Sequence, residues 1–523
     1  MSLPRAILDR VSRVADYHLA SNLASPVRAP GSRVSIWTSF DFLPKTRLPA
    51  DLIDAPSSMV RVLQDGLAAI PESLLHPPQD LRTLATWLYL AYGRRDFTRP
   101  GETPVTGRAC PSDEGCYPCE IYVAAFRVRD LEPGLYHFSG RDFSLAKMRD
   151  GGETLRQLKK GRPDLNFLSD TPAAVLVSTL FARSSAVLRK RAYRSAVRDA
   201  GCLVQNLVTV ATGLGISTMV RQKLNDQTTR ELIGLPVDVP YDDAEAVHAL
   251  VAWTDQASDA MPIPKAAPTD TSLESIPRER ATTDGVAYGS VISVHLDCVA
   301  PGVAARDVRP PLTELSPLSS TFPIHDVPMY QDLPLGRNVR EVLLDQRPPA
   351  VIGRGSISRD IFVGINHIAF RGGSHYPLFP AGAHVGLIRP FWLVRDISGL
   401  DSGIWHFNPI SGAFSILLRG EFQDEMQKLC RHRQTFASAA AVCMLTANLS
   451  KLLQTAGPDL YRLAHLEAGV VTQRINLSSG GWDLACESIG DFCDEALRRF
   501  LGLDQTGWDC VGLVAVGHRD EDA

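Results

Sequence analysis

The chain repeats itself. Tyr193-Arg194, Ala200-Gly201, Gln205 and Ile233-Gly234-Leu235 return as Tyr461-Arg462, Ala468-Gly469, Gln473 and Leu501-Gly502-Leu503, every pair 268 positions apart, with no gap across more than forty residues. Upstream, Gly134-Leu135-Tyr136-His137-Phe138 answers Gly403-Ile404-Trp405-His406-Phe407 at an offset of 269, and Pro111 faces Pro380 at that same offset. A unit this long is a domain, not a stacking element of a solenoid. The 523 residues also exceed what one ordinary hydrophobic core can organise. The repeat predicts copy one over 1–254 with an N-terminal extension, a linker over 255–284, and copy two over 285–523. The linker is rich in Pro, Thr, Ser and charge, as a surface connection is.

A hydrophobic share of 45% and a charged share of 21% are those of a soluble globular protein. A net charge of -4 gives no general pull toward nucleic acid or an anionic membrane. One local basic run, Arg189-Lys190-Arg191 flanked by Arg183 and Arg194, reads equally as a solvated helix face or an anion site. The N-terminus, MSLPRAILDRVSRVADYHLA, carries Asp and Arg through its apolar positions, and no stretch of about eighteen uncharged apolar residues follows. The expectation is a cytoplasmic protein whose ten cysteines are mostly reduced thiols. Cys110, Cys116 and Cys119 cluster, but no fourth ligand follows at close range, so no metal site is expected.

Each copy runs through its elements in the same order. A helical stretch (LRTLATWLYLAYG in copy one) leads to a Gly- and Pro-bearing loop. A strand over 121–125, or 391–394, precedes a hairpin through Gly134 or Gly403, then a buried strand over 173–177 or 440–444. A long helix starts near Tyr193 or Tyr461, with Val197, Gly201, Val204, Leu207 and Val208 at helical spacing. A strand over 246–252 or 510–516 closes the unit. Mixed helices, strands and hairpins predict an α+β class.

The run Pro111-Ser112-Asp113-Glu114-Gly115-Cys116-Tyr117-Pro118-Cys119-Glu120-Ile121-Tyr122-Val123 resembles the P-S-x-x-G-x-Y-P-x-E-x-Y-V signature of SagB-type dehydrogenases, which have the nitroreductase fold. G-L-Y-H-F resembles that family's next block, the Y-R-x-A-x-x-x-A-G-x-x-x-Q-N helix its third, and Tyr17-His18 an early Y-H element. The resemblance covers most of the chain. It implies two nitroreductase-like domains forming an intrachain pseudo-dimer, with FMN where the copies meet. It also implies oxidation of thiazolines and oxazolines to thiazoles and oxazoles in a ribosomally made peptide, beside a cyclodehydratase. The partners implied are the precursor peptide and that cyclodehydratase, with neither nucleic acid nor membrane. Pairing of whole chains into a homodimer is left open.

Such chemistry needs a dry wall for the flavin ring, donors near its N1 and O2, cations or N–H groups for its phosphate, and a base. Pro111, Ser112 and Gly115 suit the wall: proline stiffens the loop and glycine admits close backbone approach. The copy-two equivalent, Pro380-Ala381-Gly382-Ala383-His384, has lost the serine. For the phosphate, copy two offers Arg347 in Gln346-Arg347-Pro348-Pro349, and Ser488, Ile489 and Gly490. Arg221 and Lys223 of copy one read equally as phosphate ligands or surface cations. Gln205 and Gln473 of the third block complete the cofactor set implied by the resemblance. The expectation is one FMN per chain, its ring on the copy-one loop and its phosphate on copy two.

The family's Lys-Tyr pair, six and five residues before the Tyr-Arg, is Val187-Leu188 in copy one and Thr455-Ala456 in copy two. None of these can act as a base. Lys190, Tyr193 and His384 are the candidate replacements. Three readings stay open: an FMN-dependent azoline dehydrogenase, an FMN oxidoreductase on another peptide or small molecule, and a non-catalytic scaffold of a peptide-maturation complex.

Overall fold

The computed structural model describes residues 5–22, 35–97, 105–235, 245–255, 273, 275–276, 289–299, 333–346, 352–371, 376–378, 386–431, 433–504 and 506–519. Most of the predicted linker, together with Arg347 and His384, lies outside them. Copy one supplies β1 (Lys45–Arg47), β2 (Arg94–Phe97), β3 (Val105–Arg108), β4 (Cys119–Ala125), β5 (Gly134–Ser139), β6 (Ser144–Asp150), β7 (Ala173–Leu180), β8 (Thr218–Arg221) and β9 (Glu245–Trp253). Copy two supplies β10 (Ile352–Gly353), β11 (Arg389–Val394), β12 (Gly403–Asn408), β13 (Ala413–Arg419), β14 (Ala441–Ala447), β15 (Leu484–Ile489) and β16 (Asp509–Arg519).

β2 and β3 form a separate hairpin, and the other strands build two sheets, antiparallel at every pairing. The order β6-β5-β4-β7-β9-β8 of the first is matched by β13-β12-β11-β14-β16 of the second, with β15 also on β16. Register is conserved too: Tyr122 faces His137 in copy one, and Phe391 faces His406 in copy two. The predicted α+β class and tandem arrangement hold.

Strand alternation explains the layers. Ile121 and Val123 of β4, and Trp392 and Val394 of β11, point into one hydrophobic cluster shared by both copies. Tyr122 and Ala124 point to an outer cluster of copy one, Phe391 and Leu393 to that of copy two. The shared cluster holds the two long helices, Ala192–Gly213 and Asp459–Gly481. These cross at Gly201 and Gly469, the pair related by 268 positions. A Cβ on Gly201 would sit 1.9 Å from the Leu466 carbonyl oxygen, and one on Gly469 would sit 1.9 Å from that of Arg198. Only glycine permits backbones this close. About two turns away, Tyr193 and Tyr461 stack at 6.5 Å with rings 9° from parallel. The copies therefore form an intrachain pseudo-dimer about this crossing.

Candidate functional site

The Pro111–Gly115 loop turns sharply through Glu114 (φ 53°) and Gly115 (φ 64°). Its serine is held from below: Ser112 Oγ donates to Asp199 Oδ2 at 2.5 Å and accepts from the Tyr117 N–H at 2.8 Å. The Asp113 N–H also donates to Asp199, at 3.3 Å. Copy two repeats the device. Glu467, the residue 268 positions on, accepts from the Leu387 N–H at 2.7 Å and from Tyr376 Oη at 3.1 Å. In each copy the acid preceding Ala-Gly on the long helix bonds to its own copy's chain ahead of the sheet: Asp199 to the Pro111–Gly115 loop, Glu467 to Tyr376 and Leu387. Burial pushes Asp199 well above the usual carboxylate range, and the neighbouring Asp113 charge adds to this. Burial pushes Glu467 up to about 7, against its bonds to Leu387 and Tyr376 and the nearby Arg389.

Beyond the loop, copy one reaches into copy two. Arg191, Arg194 and Arg198 stand three and four residues apart along one helical face. Asp113 pairs with Arg198 and accepts from Ser195 Oγ at 2.7 Å. Arg198 donates to the carbonyls of Ile489 at 3.0 Å and Val511 at 3.4 Å, both in copy two. Arg191 donates to the Gly490 carbonyl at 2.7 Å. Arg191 and Arg194 both pair with Asp494; burial alone would raise that acid, but Arg194 and Arg191 hold it below its usual range. Glu114 pairs with Arg433, which also reaches Glu487 at 3.1 Å.

The structure brings part of the sequence-derived site together. Pro111, Ser112 and Gly115 face the strand end bearing Ser488, Ile489 and Gly490, linked by Arg198 and Asp113. Gln205 and Gln473 lie buried on the central helices: Gln205 Nε2 donates to Thr209 Oγ1 at 2.8 Å, Gln473 Nε2 to Asn206 Oδ1 at 2.7 Å. Tyr193 is buried in its stack on Tyr461, and Lys190 is exposed, its carbonyl accepting from Tyr17 Oη. Neither joins the loop. The basic run divides: Lys190 is solvated and Arg189 half-buried, whereas Arg191 and the flanking arginines turn inward. Arg183, Arg191 and Arg194 are buried and paired within the protein, Arg183 with Glu120 at 2.6 Å. The residues the sequence reading missed are Asp113, Arg198, Asp199 and Asp494. Asp199 had a signal, since an acid recurs at Glu467; Arg198 had none, since Leu466 stands at its twin position.

A family model for the nitroreductase family matches residues 77–251 and 412–518, together more than half of the chain. The chain belongs to the nitroreductase family. Members of this family are FMN-dependent oxidoreductases. A nitroreductase-like protein of Methanocaldococcus jannaschii is 28% identical over 156 residues, which is 30% of this chain and 75% of that relative. The crystal structure of an Anabaena variabilis protein described as a nitroreductase shares the fold over 97% of this chain and 99% of that one, with a TM-score of 0.71 at 20% identity. A chain of the E. coli microcin synthetase McbBCD complex with truncated pro-MccB17 bound aligns with 47% of this chain and 93% of that one, at 18% identity and a TM-score of 0.29. Among the described residues, no helix is long and apolar enough to cross a membrane.

The cofactor of this nitroreductase family does not fit between the loop and Gly490. A flat ring held on both faces needs roughly 7 Å, twice the ~3.5 Å contact distance of carbon atoms. Here a Cβ on Gly490 would already lie 2.3 Å from Asp113 Oδ2 and 2.7 Å from Arg198 Nη2. A phosphate at Gly490 would meet the Asp113 carboxylate, like charge against like, and an Arg198 guanidinium whose charge Asp113 already balances. The opposite interface is bridged as well: Gln222 Nε2 donates to the Leu378 carbonyl at 2.5 Å, and Arg462 donates to the Gln222 carbonyl at 3.0 Å.

Proposed function

We propose that this chain is a binding component of a peptide-maturation assembly, a nitroreductase-fold pseudo-dimer that carries no flavin between the Pro111–Gly115 loop and copy two. The observation that carries this reading is the direct clasp of Asp113 and Arg198 onto Ile489 and Gly490, where the ring and phosphate of FMN would need space. The lack of an acid or base at Val187-Leu188 and Thr455-Ala456 agrees with it. The peptide side rests on the likeness of residues 111–123 to SagB-type dehydrogenases. A precursor peptide and its cyclodehydratase are the partners this suggests, and the cytoplasm the compartment.

The retained Pro111-Ser112 loop favours a second reading, an FMN-dependent dehydrogenase that oxidises thiazolines or oxazolines in such a peptide. Purification of the full chain separates the two. A colourless protein that leaves a thiazoline-bearing peptide unchanged in mass with FMN added supports the binding role. A yellow protein that releases FMN on denaturation ends that reading. If it also removes two hydrogens per ring, the dehydrogenase reading takes its place.

A further inference from the structure

Arg198 has a slot of its own. Its guanidinium threads between two copy-two glycines: a Cβ on Gly490 would lie 2.7 Å from Nη2, and a Cβ on Gly512 would lie 3.0 Å from Nη1. The side chain is 4% exposed, so the group is almost fully withdrawn from water. Its charge is met by Asp113, and its remaining donors meet the carbonyls of Ile489 and Val511. A buried charge is tolerated only with this degree of pairing. At the twin position Leu466 is buried and apolar, and Leu463 stands where Ser195 supports Asp113. The slot therefore belongs to one side of the pseudo-dimer only.

We propose that the Arg198–Asp113 ion pair is a built-in occupant of the interface between the copies, filling the place a flavin would need and locking copy one's loop onto copy two. Gly490 and Gly512 serve this arginine. This inference rests on the reading that the wild-type interface holds no flavin.

The test uses the full chain and two measurements. The first is FMN binding, followed by quenching of free FMN fluorescence and by the rise in melting temperature. Wild type should give neither. The double variant Asp113→Ala/Arg198→Leu, whose second change copies the apolar Leu466 of the twin position, should bind FMN at least tenfold more tightly than wild type. Wild type binding FMN stoichiometrically would overturn the flavin-free reading. A folded double variant that binds no better than a non-binding wild type would overturn the plug alone. The second measurement holds even if opening the slot does not restore FMN binding. Gly490→Ala should lower the melting temperature by several degrees in wild type and much less in the double variant. An equal loss in both backgrounds would mean that the ion pair does not occupy the slot.

Discussion

The two central helices began as one sequence and now face their partners differently. The copy-one helix sends Arg191, Arg194 and Arg198 across the interface, whereas the copy-two helix has Asp459, Arg462 and Leu466 at the same places. In a homodimer any substitution appears on both sides of the axis at once. Fusion into one chain removes that constraint, so one interface can carry an arginine-carboxylate clasp while the other keeps only Arg462, bonded to the carbonyls of His248 and Gln222. What could not diverge is the axis itself: Gly201 and Gly469 both meet a carbonyl oxygen at the crossing, and neither has changed.

Breaking that shared axis should have the largest effect. Gly469→Leu must push a side chain into the Arg198 carbonyl, and we expect a loss of more than ~3 kcal/mol in urea unfolding. Gly201→Leu should cost about the same, since its surroundings mirror those of Gly469. Unequal losses would show that the crossing is not symmetric in energy.

The asymmetric clasp comes next. Asp113→Ala leaves Arg198 buried beside carbonyls alone, which should cost about 3–5 kcal/mol by the same measurement. Adding Arg198→Leu should recover most of this, because the stranded charge goes with it. If the second change adds a further loss instead, the pair is not an isolated unit.

The anchoring acids give a pH-dependent difference. Glu467 is held up to about 7, against an ordinary value of 4.5, so the folded chain favours its protonated form. Its contribution to stability is full in acid and is lost as the pH rises through about 7. Glu467→Gln should flatten the stability profile between about 4.5 and about 7 and gain on wild type above that window, as read from melting temperatures across pH. Asp494, held down, works in the opposite sense: its contribution fades as the pH falls. A Glu467→Gln profile parallel to wild type would remove this account of the buried acid.

The smallest effect lies at a turn. Arg189 (φ 50°) stands 268 positions before Gly457 (φ 89°), so both copies keep a left-handed residue but only copy two keeps the glycine. Arg189→Gly should stabilise by about 0.5–1 kcal/mol in urea unfolding, because relief of the left-handed strain outweighs the extra freedom of the unfolded chain. A loss would mean that the arginine side chain contributes more than its backbone strain costs.

Much of the fold was legible because repetition and periodicity are local signals. The strand that became β4, the long helix from Ala192 and the closing strand β9 all fall where apolar spacing put them. The site was less legible because its contacts are long-range: Arg198 meets Asp113 across 85 positions and Ile489 across 291. The motif Pro111-Ser112-Asp113-Glu114-Gly115 matched its family by residue type, yet Asp113 and Glu114 turned out to be the ion-pairing residues. Arg198 carries no repeat signal, because Leu466 stands at its twin position.

A crystal structure of the full chain grown with excess FMN tests the central claim most directly. The account predicts the Arg198 guanidinium between Gly490 and Gly512, paired with Asp113, and no flavin density beside them. A flavin ring between the Pro111–Gly115 loop and Gly490, with Asp113 swung away, would contradict it.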